Sequence, residues 1–368
     1  MAPRALTADG GGIALVQGWR LGCKGDSRRL AGVENSRHLS GLQSAASNPL
    51  HRRALFGLVC ATLFWGLSFP TMKGMVLTHE QLLPGSSNWF VTVMILGPRF
   101  LLSAGLLLLW APRTIFGLTR NELRQGLLLA GTNALGMICQ VEGLQFTSAS
   151  VSAFLTQFTV IIIPLVVAVR SRRLPSLVIW ASALLVLAGV AILGRFDFQT
   201  LRLGRGELVT LLGSVFFTML IFVLDDPRYA GNRVLPVSAV MFGVEGLTFT
   251  GLALLVAPQP SAYFLPWTSG PWLISTGMLT FFCTLGAFML MNRWQRHVTA
   301  TEAGLIYCLE SVFAALLALC LPALLSRWFG FDYPNELLTW QLLVGGALIT
   351  GANVLLQLRP PGRTGGTR

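Results

Sequence analysis

The chain is expected to be an all-α polytopic membrane protein, with ten transmembrane helices arranged as two inverted five-helix repeats. Three observations predict this. The 368 residues are 53% hydrophobic and only 11% charged, whereas a water-exposed domain carries roughly 25% charged residues. From Ala54 onward, apolar runs follow one another, each close to the roughly 20 residues that cross a hydrocarbon core. Finally, segments of the first half recur in the second, the mark of a chain built from repeats.

Taken in order, residues 1–53 are a different material, rich in Gly, Ser, Ala and Arg and without sustained apolar periodicity. They are expected to be a disordered basic tail; an organelle transit peptide and a mis-assigned upstream start are both open readings. Ten apolar runs follow at about 54–75, 88–110, 125–145, 150–169, 175–194, 208–224, 235–257, 271–292, 302–324 and 339–358. In lipid every backbone polar group needs an internal partner, so these runs are expected to be helices. The domains are 54–194 and 208–358, joined by a 195–207 linker and followed by a 359–368 tail.

Orientation follows from the arginines between the runs. With the N-terminus inside, fifteen fall on the cytoplasmic side and four (Arg195, Arg202, Arg205 and Arg327) on the other. The positive-inside rule then places both termini in the cytoplasm. This pattern also accounts for the net charge of +12 without invoking nucleic acid.

The repeat is read from four places. Gly105–Pro112 matches Gly251–Pro258 at six of eight positions, so the second and seventh runs are equivalent. Ser148-Ala149-Ser150 parallels Thr299-Ala300-Thr301, the 182–190 stretch parallels 346–354, and 61–65 loosely parallels 213–217. Five spans per unit is an odd number, so the second unit enters the membrane from the opposite side.

Catalytic and energy-coupling signatures are absent. There is no G-x-x-x-x-G-K-[ST], G-x-S-x-G or H-E-x-x-H, and His38, His51, His79 and His297 lie outside the expected span centres. The six cysteines show no metal-ligand spacing. No enzyme activity, cofactor or metal is expected, and Asp225-Asp226 reads as an interfacial loop cap.

The polar residues inside the runs carry the functional signal. Arg99 and Glu245 fall mid-run, Glu310 lies halfway along the ninth run, and Glu142 falls late in the third, where a structural cap and a site are both open readings. Each central charge costs roughly 2.5–3.5 kcal/mol on insertion scales, which a protein-lined or wet interior offsets. Asn133, Gln140, Gln157, Asn292 and Tyr307 accompany them, although isolated amides in membranes more often join helices by hydrogen bonds. Tyr307 and Glu310 are three apart and share a helix face. Trp65, deep in the first run, is expected to line a cavity. Laying Gly105 on Gly251 puts Arg99 on Glu245, equivalent positions of opposite charge. The candidate substrate-binding set is Trp65, Arg99, Asn133, Gln140, Glu142, Glu245, Tyr307 and Glu310.

Phe64-Trp65-Gly66-Leu67-Ser68-Phe69, Arg99-Phe100-Leu101-Leu102, Gly143–Ser150 and Ala303–Glu310 together resemble the duplicated EamA domains of the drug/metabolite transporter superfamily, over about residues 54–358. That family usually has proline after the ninth-helix glutamate; this chain has Ser311. The resemblance implies a secondary transporter, often an exporter, of small metabolites, amino acids or drugs. The expected partners are therefore a small-molecule substrate and the lipid bilayer, with a proton as a candidate coupling ion. The expected location is the plasma membrane (a bacterial inner membrane), or an organelle membrane if the tail is a transit peptide. The alternative is a non-transporting scaffold or receptor-like subunit, which would not need the central charges.

Overall fold

The computed structural model describes residues 49–170, 172, 177–193, 203–224, 226–298, 306–330 and 332–358. The expected tail to residue 48, most of the 195–207 linker, the Thr299–Thr301 repeat segment with Ala303 to Leu305, and the 359–368 tail lie outside them. Helices are α1 (Pro49–Leu82), α2 (Asn88–Trp110), α3 (Pro112–Phe116), α4 (Arg120–Phe146), α5 (Ala149–Thr156), α6 (Thr159–Arg170), α7 (Leu177–Leu193) and α8 (Arg205–Leu224). They continue with α9 (Val234–Val256), α10 (Pro260–Phe264), α11 (Gly270–Met278), α12 (Ala287–Trp294), α13 (Leu309–Ala318), α14 (Leu321–Phe329) and α15 (Trp340–Leu358). A π-helical segment, Leu279–Gly286, joins α11 to α12. No strand occurs among the described residues.

This is an all-α polytopic membrane protein. Among the described residues six helical stretches, one of them the Gly270–Met291 rod through α11, the π segment and α12, are long and apolar enough to span a bilayer, and α13 with α14, bent by 48°, makes up to seven. α1 is longer than the expected run: it begins at Pro49 and reaches Leu82, which puts Lys73 more than two turns from its end. The polarity is that of a lipid-facing fold. On α9, Glu245 is 1% exposed whereas Leu247 and Leu255 are 67% and 82% exposed. Carbon faces outward and charge inward, which suits hydrocarbon as the surrounding solvent.

Small residues set the helix contacts. α2 and α9, both 23 residues long, cross where a Cβ on Gly97 would meet Thr250 N at 3.0 Å, one on Gly246 would meet Leu101 N at 2.4 Å, and one on Gly243 would meet the Ala104 Cβ at 4.0 Å. As the number rises on one helix it falls on the other, so the pair is antiparallel. At the offset of 146, Gly97 with Thr250 and Ala104 with Gly243 are the same contact made twice. The centre of that reciprocity falls between positions 100 and 101, next to Arg99. α4 and α8 run antiparallel in the same manner, with Gly136 against Phe217 and Gly143 against Thr210. α7 and α15 close through Gly189 and Ile349.

Two further breaks matter. α5 stops at Gln157 and α6 resumes at Thr159, while a turn at Cys308 precedes α13. With Ser148 laid on Thr299, an offset of 151, Gln157 falls on Cys308. Both interruptions therefore occupy the same place in the two halves.

Candidate functional site

Arg99 lies on α2 and is 4% exposed. Its Nε donates to Thr284 Oγ1 at 2.6 Å, while its two terminal nitrogens reach only Met72 Sδ at 3.6 Å and the Cys283 carbonyl at 3.4 Å. The guanidinium has five N–H donors, so the fork is only partly used. The π turn supplies these partners: the Thr284 hydroxyl donates to the Leu279 carbonyl five residues back at 2.9 Å and accepts from Arg99. π turns inside α-helices are frequent at functional sites. The Arg99 Cζ also lies 5.4 Å from the Phe100 ring centroid.

Glu245, on α9, is 1% exposed, and neither carboxylate oxygen has a hydrogen-bond partner. Asn133 of α4, itself 5% exposed, is the polar neighbour of the Glu245 carboxyl, short of good hydrogen-bond geometry, and Arg99 acts on it through its charge. Arg99 and Glu245 do not close an ion pair. The structure thus brings three of the sequence-predicted residues, Arg99, Asn133 and Glu245, near one another and leaves the Glu245 carboxylate and part of the Arg99 fork without well-formed hydrogen bonds.

A second set adjoins α1. Trp65 meets Phe288 and Tyr307 edge-on, both at 5.8 Å between centroids. The Tyr307 hydroxyl donates to Gln295 Oε1 at 3.0 Å. Gly66 makes the approach possible, because a Cβ there would lie 2.9 Å from Ala314 N and 3.0 Å from the Glu310 carbonyl oxygen. Gln157, at the break between α5 and α6, is the polar neighbour of the Glu310 carboxyl. Gln140 Nε2 donates to Thr156 Oγ1 at 3.4 Å, extending the polar row to α4. An aromatic wall joins the two sets: Phe288 packs on Phe242 at 5.4 Å, and Phe242 on Phe100 at 5.9 Å.

Glu142 belongs elsewhere. Its carboxylate pairs with Arg205 at 2.6 Å and accepts from Thr92 and Gln145, both at 3.3 Å, as the capping reading allows. It adjoins a cavity of about 670 Å³ lined by Lys73, Gln145, Thr147, Ser150, Glu207 and Glu336, among others. There Lys73 Nζ donates to the carbonyls of Leu144, Gln145 and Thr147 at 2.7, 3.3 and 3.1 Å. Asn292 has no described side chain. Among the described residues no cluster of His, Cys, Asp and Glu could hold a metal ion.

Sequence reading passed over Thr284, Met72, Phe288 and Lys73. Neutral residues in apolar runs give no signal of what they touch.

Residues 52–195 match the model of the EamA-like transporter family. The first part of the chain is therefore similar to an EamA-like transporter domain. That part holds Trp65, Arg99, Asn133, Gln140 and Glu142, and its match agrees with the resemblance carried by the sequence motifs. An uncharacterized transporter of Archaeoglobus fulgidus is 22% identical over 324 residues, which is 86% of this chain and 90% of its own. A solved crystal structure aligns at 18% identity and a TM-score of 0.48, covering 81% of this chain and 97% of its own. The apolar helices make this a multi-pass membrane protein, and the similarity to the EamA-like transporter family and to an uncharacterized transporter points toward transport.

Proposed function

We propose that the chain is a secondary active transporter that exports a small metabolite, amino acid or drug-like solute by alternating access, with the solute bound beside Arg99, Asn133 and Glu245 and the Trp65, Tyr307 and Glu310 set forming the adjoining wall. One observation carries the reading: a carboxylate with two unbonded oxygens and a guanidinium with unused donors are both buried in one interior without pairing. Unpaired charges there are costly, and an ionic solute bound between them offsets that cost. A scaffold has no use for such an arrangement.

In this reading the chain makes ten spans in two inverted repeats, the architecture that the mechanism uses. The reading rests on the antiparallel α2/α9 pair, with its reciprocal contacts, and on the equivalent breaks at Gln157 and Cys308; discontinuous helices at a repeat interface are where secondary transporters bind. In this reading both termini are cytoplasmic, the membrane is the plasma membrane, and Glu245 or Glu310 carries a coupling proton. The test is reconstitution of the purified chain in liposomes with labelled amino acids and small metabolites, with and without a pH gradient. At least one solute should move faster than in empty liposomes, with the rate falling about tenfold or more in Glu245→Gln, the loss expected for removing one charge-assisted contact. Folded protein that moves none of them would favour the scaffold.

A further inference from the structure

A row of buried polar atoms leads from one end of the bundle to Arg99. His79 near the end of α1, Trp272 on α11, Thr276 on α11 and Thr280 in the π segment are each 2% exposed or less. Both nitrogens of His79, the Trp272 indole N–H, and the hydroxyls of Thr276 and Thr280 have no hydrogen-bond partner. The His79 ring contacts Trp272 at 5.8 Å and Phe90 at 5.3 Å between centroids. Trp272, Thr276 and Thr280 are four apart and so share one face of their helix. Thr284, four further on, is the hydroxyl that receives Arg99. The α-helical part of this row, from Trp272 to Met278, rises about 9 Å, and the π segment carries it on to Thr284.

The behaviour of six other helical threonines sharpens this, although Thr250 on α9 is also unpartnered. Those at 62, 71, 78, 132, 210 and 218 all return their hydroxyls to a carbonyl three or four residues back. Thr276 sits in the same α-helical backbone and does not; Thr280, in the π segment where Thr284 bonds the carbonyl five residues back, makes no such bond either. Buried polar groups in native proteins are paired with protein or with bound water, and this row offers both donors and acceptors.

We infer that His79, Trp272, Thr276, Thr280 and Thr284 line a file of bound water that connects the α1 C-terminal end of the bundle to the Arg99 guanidinium. The inference does not depend on the transport reading, because its test measures hydration whether or not a solute moves. In the full chain with its native cysteines replaced, held in nanodiscs, Thr276→Cys and Thr280→Cys are exposed to silver ion, a thiol reagent small enough to follow water. Modification is scored by loss of maleimide labelling after denaturation. The reference is Leu279→Cys, equally buried but within the apolar core. The file requires both threonine positions to react at least tenfold faster than Leu279→Cys; a smaller difference overturns it. On the unsubstituted protein, deuterium exchange at the His79 C2 position should lie within a hundredfold of that at exposed His297, and slower exchange than that overturns the inference even if the cysteine variants fail to fold.

Discussion

Arg99 and Glu245 are buried charged side chains whose surroundings leave them incompletely satisfied. One keeps a single short bond, to Thr284, and the other keeps none. A charged hydrogen bond is worth about 1.5–3 kcal/mol, and a factor of ten costs about 1.4 kcal/mol. Arg99→Gln and Glu245→Gln are therefore each expected to slow transport about tenfold or more while leaving membrane insertion intact, as read by liposome flux alongside size-exclusion profiles. The exchange Arg99→Glu with Glu245→Arg should recover folding more readily than flux, since a neutral interior is restored but the solute meets each charge in the wrong place. Normal flux in either single variant would remove both residues from the site. The sequence made these two legible because a charge in an apolar run has few structural excuses. It could not reveal that Glu142 leaves the set, since its partner Arg205 lies 63 residues away and only folding brings the two together.

Helix pairs carry the next level of constraint. The α2/α9 crossing depends on Gly246, where a Cβ would stand 2.4 Å from the backbone nitrogen of Leu101, whereas Gly251 on the same helix faces open space. Overpacking of this kind typically costs about 1–3 kcal/mol. Gly246→Ala should therefore lower the thermal midpoint in detergent and Gly251→Ala should not; equal midpoints would mean that the crossing is looser than described. The eight-residue match between the second and seventh runs foreshadowed this pairing, because repeated units can meet about a shared axis. The interruptions at Gln157 and Cys308 were not legible. Neither is marked by proline or glycine, and a break held by tertiary contacts, such as Thr159 Oγ1 donating to the Ser214 carbonyl at 3.2 Å, leaves no trace in local propensity. The π segment likewise reads as an ordinary apolar run.

Polar contacts gather at the two ends of the bundle, and each links loops that the arginine count assigns to one side. At one end Arg233 grips the Glu122 carboxylate through Nε at 2.7 Å and a terminal nitrogen at 2.9 Å, and Asn232 donates to Gln125 at 2.8 Å. At the other end Arg205 meets Glu142, the Thr147 hydroxyl donates to Glu207 at 2.8 Å, and both Ser150 N–H and Ser150 Oγ donate to Glu336. Cysteine labelling should therefore place position 172 with the first end and position 261 on the opposite side of the membrane; labelling of both from one side would break the ten-span count. The Ser150–Glu336 contact supports a sharper expectation. It fastens the loop before α15 to the start of α5, tying the second half of the chain to the first across the mouth of the 670 Å³ cavity. Alternating access requires each end to open in turn, so a covalent tie there should stop the cycle. Ser150→Cys with Glu336→Cys, in a background without other cysteines, should transport when reduced, lose most of its flux on oxidation, and regain it with a reductant. If the disulfide forms in full and flux persists, this end does not open during transport, and alternating access through it is excluded.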